Sequence, residues 1–201
     1  MMDVWTLPTE IEISGVSYKI RTDWHDIINI LIAMNDPNLN KEDKLLTMLD
    51  ILYIDMEIME DTGNLFVRCK GKNLTSSEVE EAMKKATEFI DAGITDDGAP
   101  KPRTMDWEHD APIIFPAVNK AVGKDVRTLQ MHWWTFLGFF MEIQEGTFTQ
   151  VVSIRQKKAK HEKLEKWEQQ FYRNNKKLID LPRNETEEEK EERERLNNML
   201  N

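Results

Sequence analysis

Residues 105–156 contain MDWEHDAPIIFPAVNK (105–120), QMHWWTFLGFFMEI (130–143) and TFTQVVSIRQ (147–156). This segment holds three of the six tryptophans, and the stretch from Trp133 to Met141 is almost uninterruptedly apolar. That stretch is much shorter than the roughly 20 apolar residues that a helix needs to cross a bilayer. The pattern therefore predicts helices buried in the core of the protein or against a partner, and no membrane span.

The composition is typical of a protein that stays in solution in a reducing compartment. A chain of 201 residues with a formal charge of −10 repels a phosphate backbone, so nucleic acid is not an expected partner. Cys69 is the single cysteine, which excludes an intrachain disulfide. The first residues lack the basic and apolar regions of a secretion signal, and a cytoplasmic location is therefore expected.

One domain is predicted over residues 1–180, since neither half of the chain offers a complete core by itself. The loop 94–104 contains Asp96-Asp97-Gly98 and two prolines, and it is the candidate point of subdivision. Residues 181–201 form a tail with seven glutamates between positions 185 and 195. This acidic tail is expected to be either helical or disordered.

The first half of the chain predicts a β-hairpin followed by helices. Apolar residues alternate from Glu10 to Arg21 on either side of Ser14-Gly15, a pair typical of a tight turn. A capping box, Thr75-Ser76-Ser77-Glu78, precedes another apolar pattern of helical spacing. From that spacing, helices are predicted over residues 22–34, 40–59 and 75–93.

The second half predicts three more helices. Asp106 is expected to cap the first of them, and Pro112 and Pro116 are expected to kink or break it. The next covers Met131–Ile143, and a long final helix runs from Thr147 to about residue 181. The predicted fold class is therefore mainly α, a multi-helix domain with an N-terminal β-hairpin and a long C-terminal helix.

The final helix becomes basic from Arg155 onward, with nine Lys and Arg against three Glu over residues 155–177. An apolar seam on this basic helix is predicted from residues at heptad-like spacing. A seam that docks a partner helix is favoured over nucleic-acid binding, because glutamates are interleaved and the whole chain is acidic. The predicted partner-binding residues are Leu164, Trp167, Phe171 and Leu178.

No signature of catalysis is found, since the chain lacks GxGxxG, Walker, HExxH, CxxC and GxSxG motifs. The most site-like cluster is Asp106, His109 and Asp110, where side chains one helical turn apart could share a cation. Two or three ligands from one helix do not complete a site, and capping by Asp106 explains the cluster better. An enzyme, a bound metal and a cofactor are therefore not expected.

His132 beside Trp133-Trp134 suggests an aromatic ligand box. Adjacent residues of a helix point about 100° apart, so the two indoles cannot form two walls of one cage. Both tryptophans are therefore predicted to be anchors of the core or of an interface.

Three motifs occur in the order Asp106-Trp107-x-x-Asp110, Leu129-x-x-His132-Trp133-Trp134-x-Phe136-Leu137 and Phe148-x-x-Val151-Val152-x-Ile154-Arg155. Together with Asp23-Trp24 after the hairpin, their order and spacing resemble the phage gene-product-fifteen family of tail-region proteins. The resemblance extends to about Pro182 and departs at AVGKDVRT (121–128), where the family tends to have an aromatic residue followed by an apolar turn. The core signature that it identifies is Asp106, Trp107, Asp110, His132, Trp133, Trp134, Phe136 and Arg155.

The resemblance implies a protein of siphophages or prophages of Gram-positive bacteria, encoded near the tail-tube and tape-measure genes. Its location would be the cytoplasm of the bacterial host. Proteins in that position look like tail assembly chaperones, which would cover the long apolar helices of a tape-measure protein until the tail tube polymerises.

The expected partner is the tape-measure protein, with the major tail protein, a second tail chaperone or another copy of this chain as further partners. A structural tail-completion or connector protein of the virion is the alternative function. A phage enzyme or regulator is a third alternative, which a large pocket with converging polar groups would favour.

Overall fold

The computed structural model describes residues 5–61, 64–94 and 101–200, most of which lie in helices. The predicted fold class is confirmed: the protein is mainly α, with an N-terminal hairpin and a helical C-terminal part. In chain order the elements are β1 (Glu10–Ile13), β2 (Val16–Lys19), α1 (Trp24–Asn35), α2 (Lys41–Leu52), β3 (Met56–Asp61), β4 (Asn64–Cys69), β5 (Lys72–Asn73), α3 (Ser76–Ile90), α4 (Ala111–Val122), a 3-10 turn (Val126–Thr128), α5 (Trp133–Met141), α6 (Thr147–Ala159), α7 (Lys166–Asn174), α8 (Lys176–Ile179) and α9 (Glu187–Leu200).

Contacts between Cα atoms divide the chain into two compact units. Unit 1 comprises Met1–Ile94 and Arg183–Asn201, and unit 2 comprises Thr95–Pro182. The first boundary coincides with the start of the loop 94–104, the candidate point of subdivision. That residues 1–180 form a single domain stays a prediction.

The predicted hairpin forms as β1 and β2, with Ile13 opposite Val16 next to the turn. Ser14 and Gly15 have φ angles of 48° and 79°, as in the primed turns whose twist matches that of the two strands. The backbone N–H and the hydroxyl of Ser14 both donate to Glu81 of α3, at 3.0 and 2.9 Å. The hairpin is therefore held against α3.

The helix predicted over residues 40–59 is wrong beyond Leu52, because Met56–Asp61 forms strand β3. Tyr53 follows the last helical residue with extended backbone and pairs with Ile20 in an isolated β-bridge. Methionines at positions 56 and 59 suit helical spacing, but the pairing of β3 with β4 overrides that local preference.

The core of unit 1 contains apolar residues of the hairpin, of α1 to α3 and of the antiparallel sheet β3-β4-β5. Tyr53 lies within it, and its hydroxyl donates to the Ala82 carbonyl at 2.9 Å. Burial raises the pKa of Tyr53 well above its ordinary value of 10.0. Residues enclosed in this core include Ile11, Trp24, Ile27, Leu49, Val67, Ala86 and Phe89.

α3 begins with the predicted capping box. The Glu78 N–H donates to Thr75 Oγ1 at 3.3 Å, and the Thr75 N–H donates to Glu78 Oε2 at 2.7 Å. The Lys72 ammonium together with the Thr75 donors lowers the pKa of Glu78 to about 2. The N–H groups of Thr75 and Glu78 at the start of α3 therefore both have an acceptor, as the sequence predicts.

In unit 2 the predicted role of Asp106 as the cap of α4 is wrong. Asp106 caps the preceding turn, where it accepts from the His109 N–H at 2.7 Å, and α4 begins only at Ala111. Pro112 therefore lies in the first turn of α4, where a missing N–H costs no helical hydrogen bond. The helix continues without a break through Pro116 to Val122.

The long helix predicted from Thr147 is divided into α6, α7 and α8. α6 ends at Ala159, and His161 adopts the left-handed conformation with a φ of 56°. The Glu162 N–H then donates back to the Lys157 carbonyl at 2.8 Å, which closes the helix end. Glycine or asparagine usually occupies this position, so the sequence carries no strong signal for the end.

The acidic tail is helical over Glu187–Leu200. The Glu189 N–H donates to Thr186 Oγ1 at 3.2 Å, and the Glu187 N–H donates to Asn38 Oδ1 at 3.0 Å. Of the two states expected for this tail, the helical one is observed.

Candidate functional site

A buried arginine joins several segments of unit 2. Arg155 of α6 donates two bonds to the carboxylate of Asp110, at 2.6 and 2.7 Å. It also donates to the carbonyls of Thr104, Leu178 and Ile179, at 3.0, 2.8 and 2.7 Å. The side chain of Arg155 is 5% exposed and that of Asp110 is 0% exposed. All five guanidinium N–H groups have an acceptor, which offsets the cost of burying the charge.

Asp110 also orders the turn that precedes α4. Its Oδ2 accepts from the Asp106 N–H at 2.9 Å, and Asp106 in turn pairs with Arg103. Partial burial opposes the charge on Asp106, but the His109 N–H and the Arg103 guanidinium hold its pKa below the ordinary 3.8. The turn that leads into α4 is therefore held by the carboxylates of Asp106 and Asp110.

The cluster that was considered as a cation site, Asp106, His109 and Asp110, makes the hydrogen bonds of this turn. Asp106 and Asp110 accept protein N–H groups, and Nε2 of His109 lies 3.3 Å from the Leu178 carbonyl oxygen. Within the described ranges, no group of three His, Cys, Asp or Glu side chains could hold a metal ion. The cluster therefore acts through hydrogen bonds that orient the chain.

An aromatic layer links the turn, α5 and α6. Trp107 lies edge-on to Trp133, with ring centroids 6.5 Å apart, and Trp133 stacks on Phe136 at 5.7 Å. Phe140 contacts Trp107 at 5.2 Å and Phe148 at 5.6 Å. Trp107, Trp133 and Phe136 of the core signature are thus brought together on the inner side of α5.

His132 caps α5, since its Nδ1 accepts the Trp134 N–H at 3.1 Å. Trp133 is buried on one side of the helix, whereas Trp134 is only partly buried. The two indoles therefore have different environments, and they do not form a common cage.

A groove lies between α4 and the end of α5. It consists of two adjoining cavities of about 350 and 300 Å³ that share Ala117, Lys120, Ile143 and Gln144. We call it the α4–α5 groove, and its lining includes Pro116, Ala117, Lys120, Ala121, Phe139 and Ile143.

The groove combines small and apolar residues with a charged rim. Ala117 and Ala121 allow close approach, while Phe139 and Ile143 offer apolar surface. Lys120 and Glu142 supply charges of opposite sign beside them. Such a lining suits the apolar face of a partner helix.

α5 contains more apolar residues than the fold buries. Only Trp133 and Phe136 are buried among its nine residues, and Met141 is 64% exposed. A helix that is apolar all round is normally enclosed on all sides. In the part of the chain that the structure describes, no helix is long and apolar enough to cross a membrane. Because α5 leaves Met141 exposed beside Thr135 and Gly138, this outer side is a candidate surface for a protein partner.

The four predicted partner-binding residues between positions 164 and 178 differ in how far they are buried. Leu164, Phe171 and Leu178 are partly buried against a cluster formed by Val151, Ile154 and Ile179. Trp167 is 53% exposed on α7. Because α6, α7 and α8 are separate helices, these four residues do not form one continuous heptad seam. Their role in partner binding stays a prediction.

The sequence does not predict the α4–α5 groove. Its only local signal is Pro116 beside the alanines at 117 and 121, which is also found in ordinary buried helices. The groove depends on how the turn after α5 approaches α4, and a single sequence does not reveal that distance.

The model of the family described as bacteriophage Gp15 protein matches residues 4–181. The curated proteins and the solved structures contain no match to this chain. The match spans the hairpin, the aromatic layer and the Arg155–Asp110 pair, and it covers well over half of the chain. The chain therefore belongs to the bacteriophage Gp15 protein family.

Proposed function

We propose that this phage tail-region protein is a tail assembly chaperone that binds the tape-measure protein through the α4–α5 groove and the outer side of α5. The observation that carries this function is the incomplete enclosure of α5, in which Trp133 and Phe136 are buried whereas Met141 is 64% exposed. Binding would keep the tape-measure protein soluble until the tail tube polymerises around it.

The shape of the surface supports an amphipathic helix as the ligand. Such a helix places apolar residues at i, i+3 or i+4 and i+7 along one side, and it binds by laying that side in an apolar groove. The two cavities could each receive a side chain, and Met141 lies on the same helix as Phe139. Methionine surfaces adapt to different apolar side chains, which suits a ligand with many similar helices.

Coexpression with the tape-measure protein of the same phage tests this function. The chain should raise the soluble fraction of that protein and copurify with it. Ala117→Glu and Met141→Glu each place a charge on the binding surface, so each should reduce the recovered complex about tenfold or more. Val16→Glu is the matched control, because Val16 is an exposed apolar residue of unit 1, 48% exposed.

An equally soluble tape-measure protein without the chain, together with no copurification, would overturn the proposed function. Mass spectrometry of purified virions separates the chaperone from a structural component. A chaperone should be absent from the particles, whereas a tail-completion or connector protein would be present in stoichiometric amount.

A further inference from the structure

The outward side of α7 carries an exposed tryptophan among basic residues. One row of exposed side chains lies at positions i, i+4 and i+7 of this helix and consists of Lys166, Gln170 and Arg173. Trp167 lies beside this row and is 53% exposed. Tryptophan and arginine are the residues that most often dominate the binding energy of protein interfaces.

The inward side of α7 holds the helix in place. The Lys157 ammonium donates to Oε1 of Glu168 at 2.6 Å, and Glu168 is 2% exposed. The Tyr172 hydroxyl donates to Asp180 at 2.9 Å, and the Lys158 ammonium lies 3.9 Å from the centre of the Tyr172 ring. The outward side is therefore a pre-ordered surface, which lowers the entropy lost on binding.

The charges of the two units are unequal. Residues 95–182 contain 14 Lys and Arg against 12 Asp and Glu. Residues 1–94 and 183–201 together contain 13 Lys and Arg against 25 Asp and Glu. A basic surface on unit 2 thus has an acidic counterpart in unit 1 of every other copy of the chain.

α9 carries a matching acidic row, two members of which also pair within the helix: Glu187 with Lys190 at 3.5 Å and Glu191 with Arg195 at 4.0 Å. Glu187, Glu191 and Glu194 lie at i, i+4 and i+7 on one side of the helix and are exposed. The first and last members are seven residues apart, about 10.5 Å along the axis, as are Lys166 and Arg173 of α7. Two helices with these rows can align opposite charges along their length.

We propose that the basic side of α7 in one copy docks on the acidic side of α9 in a second copy, with Trp167 as the apolar anchor. Each copy carries both surfaces, so two copies can close as a dimer if both α7–α9 contacts form between them. If only one contact forms in each pair, further copies add at the ends and give a ring or an open chain. The association does not depend on tape-measure binding.

Sedimentation velocity of the purified full chain over a wide concentration range tests this docking. The average mass should rise with concentration in low salt and fall in about 0.5 M salt, where exposed charges are screened. The doubly substituted variant Lys166→Glu with Arg173→Glu should weaken self-association about tenfold or more. The variant Glu191→Lys with Glu194→Lys should do the same, and it leaves Glu187 at the helix start, where its charge suits the helix dipole.

Mixing the two variants provides the decisive comparison. Each variant alone carries charges of one sign on both surfaces, whereas an equimolar mixture restores opposite charges at every contact. The mixture should therefore associate nearly as strongly as the unsubstituted chain. Trp167→Ala should weaken association about tenfold without changing the salt dependence. Circular dichroism verifies that each variant keeps its helices.

The docking is overturned if the unsubstituted chain keeps the mass of a single copy at all concentrations. It is also overturned if the variants associate normally or if the mixture fails to recover. A labelled single-stranded oligonucleotide is titrated in parallel. Its binding to the α7 surface of a chain that does not self-associate would assign that surface to nucleic acid instead.

Discussion

Arg155 joins four segments of unit 2 through one side chain: α6, the start of α4, the end of α8 and residue 104. Its partner Asp110 is 45 positions away in sequence, and both side chains are buried. A buried ion pair adds little stability over a well-packed apolar pair, but the loss of one partner leaves an uncompensated charge. The pair therefore specifies how the segments meet.

Arg155→Met should lower the free energy of unfolding by about 3–5 kcal/mol, because Asp110 would remain buried without its cation. Urea unfolding followed by tryptophan fluorescence measures the change. Arg127→Met is the matched control, since Arg127 pairs with Asp125 at the surface and is more than half exposed. A normal midpoint for Arg155→Met would show that the pair is not needed to hold unit 2 together.

Glu168 should make the stability of the protein depend on acid pH. The Lys157 ammonium holds the pKa of Glu168 below its ordinary 4.5 in the folded state. The stabilisation is therefore present above that value and is lost as the pH falls through the lower folded value. Glu168→Gln should be less stable than the unsubstituted chain at pH 7, and the difference should shrink between about pH 5 and pH 3.

Urea midpoints measured at several pH values detect this convergence. Glu162→Gln is the control, because Glu162 is exposed on the turn after α6. Parallel curves for Glu168→Gln and the unsubstituted chain would contradict the role given to the Lys157 contact.

At the level of single residues, the sequence named a core signature but not the contacts that its members make. Asp106, Trp107, Asp110, Trp133 and Arg155 were identified by resemblance to a family. The pairing of Asp110 with Arg155 could not be predicted from spacing, since residues 45 apart meet only after α4 and α6 pack together.

Among the elements, α3 gives the clearest test of a local sequence signal. Thr75→Ala removes one half of the capping box and should destabilise the protein by about 0.5–2 kcal/mol. Ser77→Ala, two positions later on the exposed side of the same turn, is the matched control. Thermal unfolding of both variants measures the difference, and an equal effect of the two substitutions would count against the cap.

Elements with local signals were predictable, whereas those set by distant contacts were not. The hairpin turn at Ser14-Gly15 and the start of α3 follow from nearby residues. β3 was mistaken for helix because its pairing with β4 decides its conformation. The end of α6 was missed because His161 takes a conformation that glycine usually supplies.

The α4–α5 groove is neither a locally determined element nor a strand set by pairing, because it is formed by the packing of two helices against each other. The apolarity of α5 was evident from the sequence, and a buried helix or a partner surface was expected. The structure encloses the side with Trp133 and Phe136 and leaves Met141 exposed. We therefore place the proposed binding surface on the segment whose apolarity is greatest.

For the whole molecule, both proposals rest on the unequal charge of the two units and on the exposed apolar surface of α5. An acidic unit 1 favours solubility at high concentration. Unit 2 carries both the α4–α5 groove and the basic side of α7. One surface is proposed to bind the tape-measure protein and the other a second copy, so a coat of many copies is the expected assembly.

Hydrogen–deuterium exchange of the chain, free and in complex with the tape-measure protein, tests the proposed binding surface most directly. Slower exchange is predicted in peptides that cover residues 112–121 and 137–148, with little change in the hairpin of unit 1. Protection confined to residues 164–178, or to unit 1, would contradict binding through the α4–α5 groove.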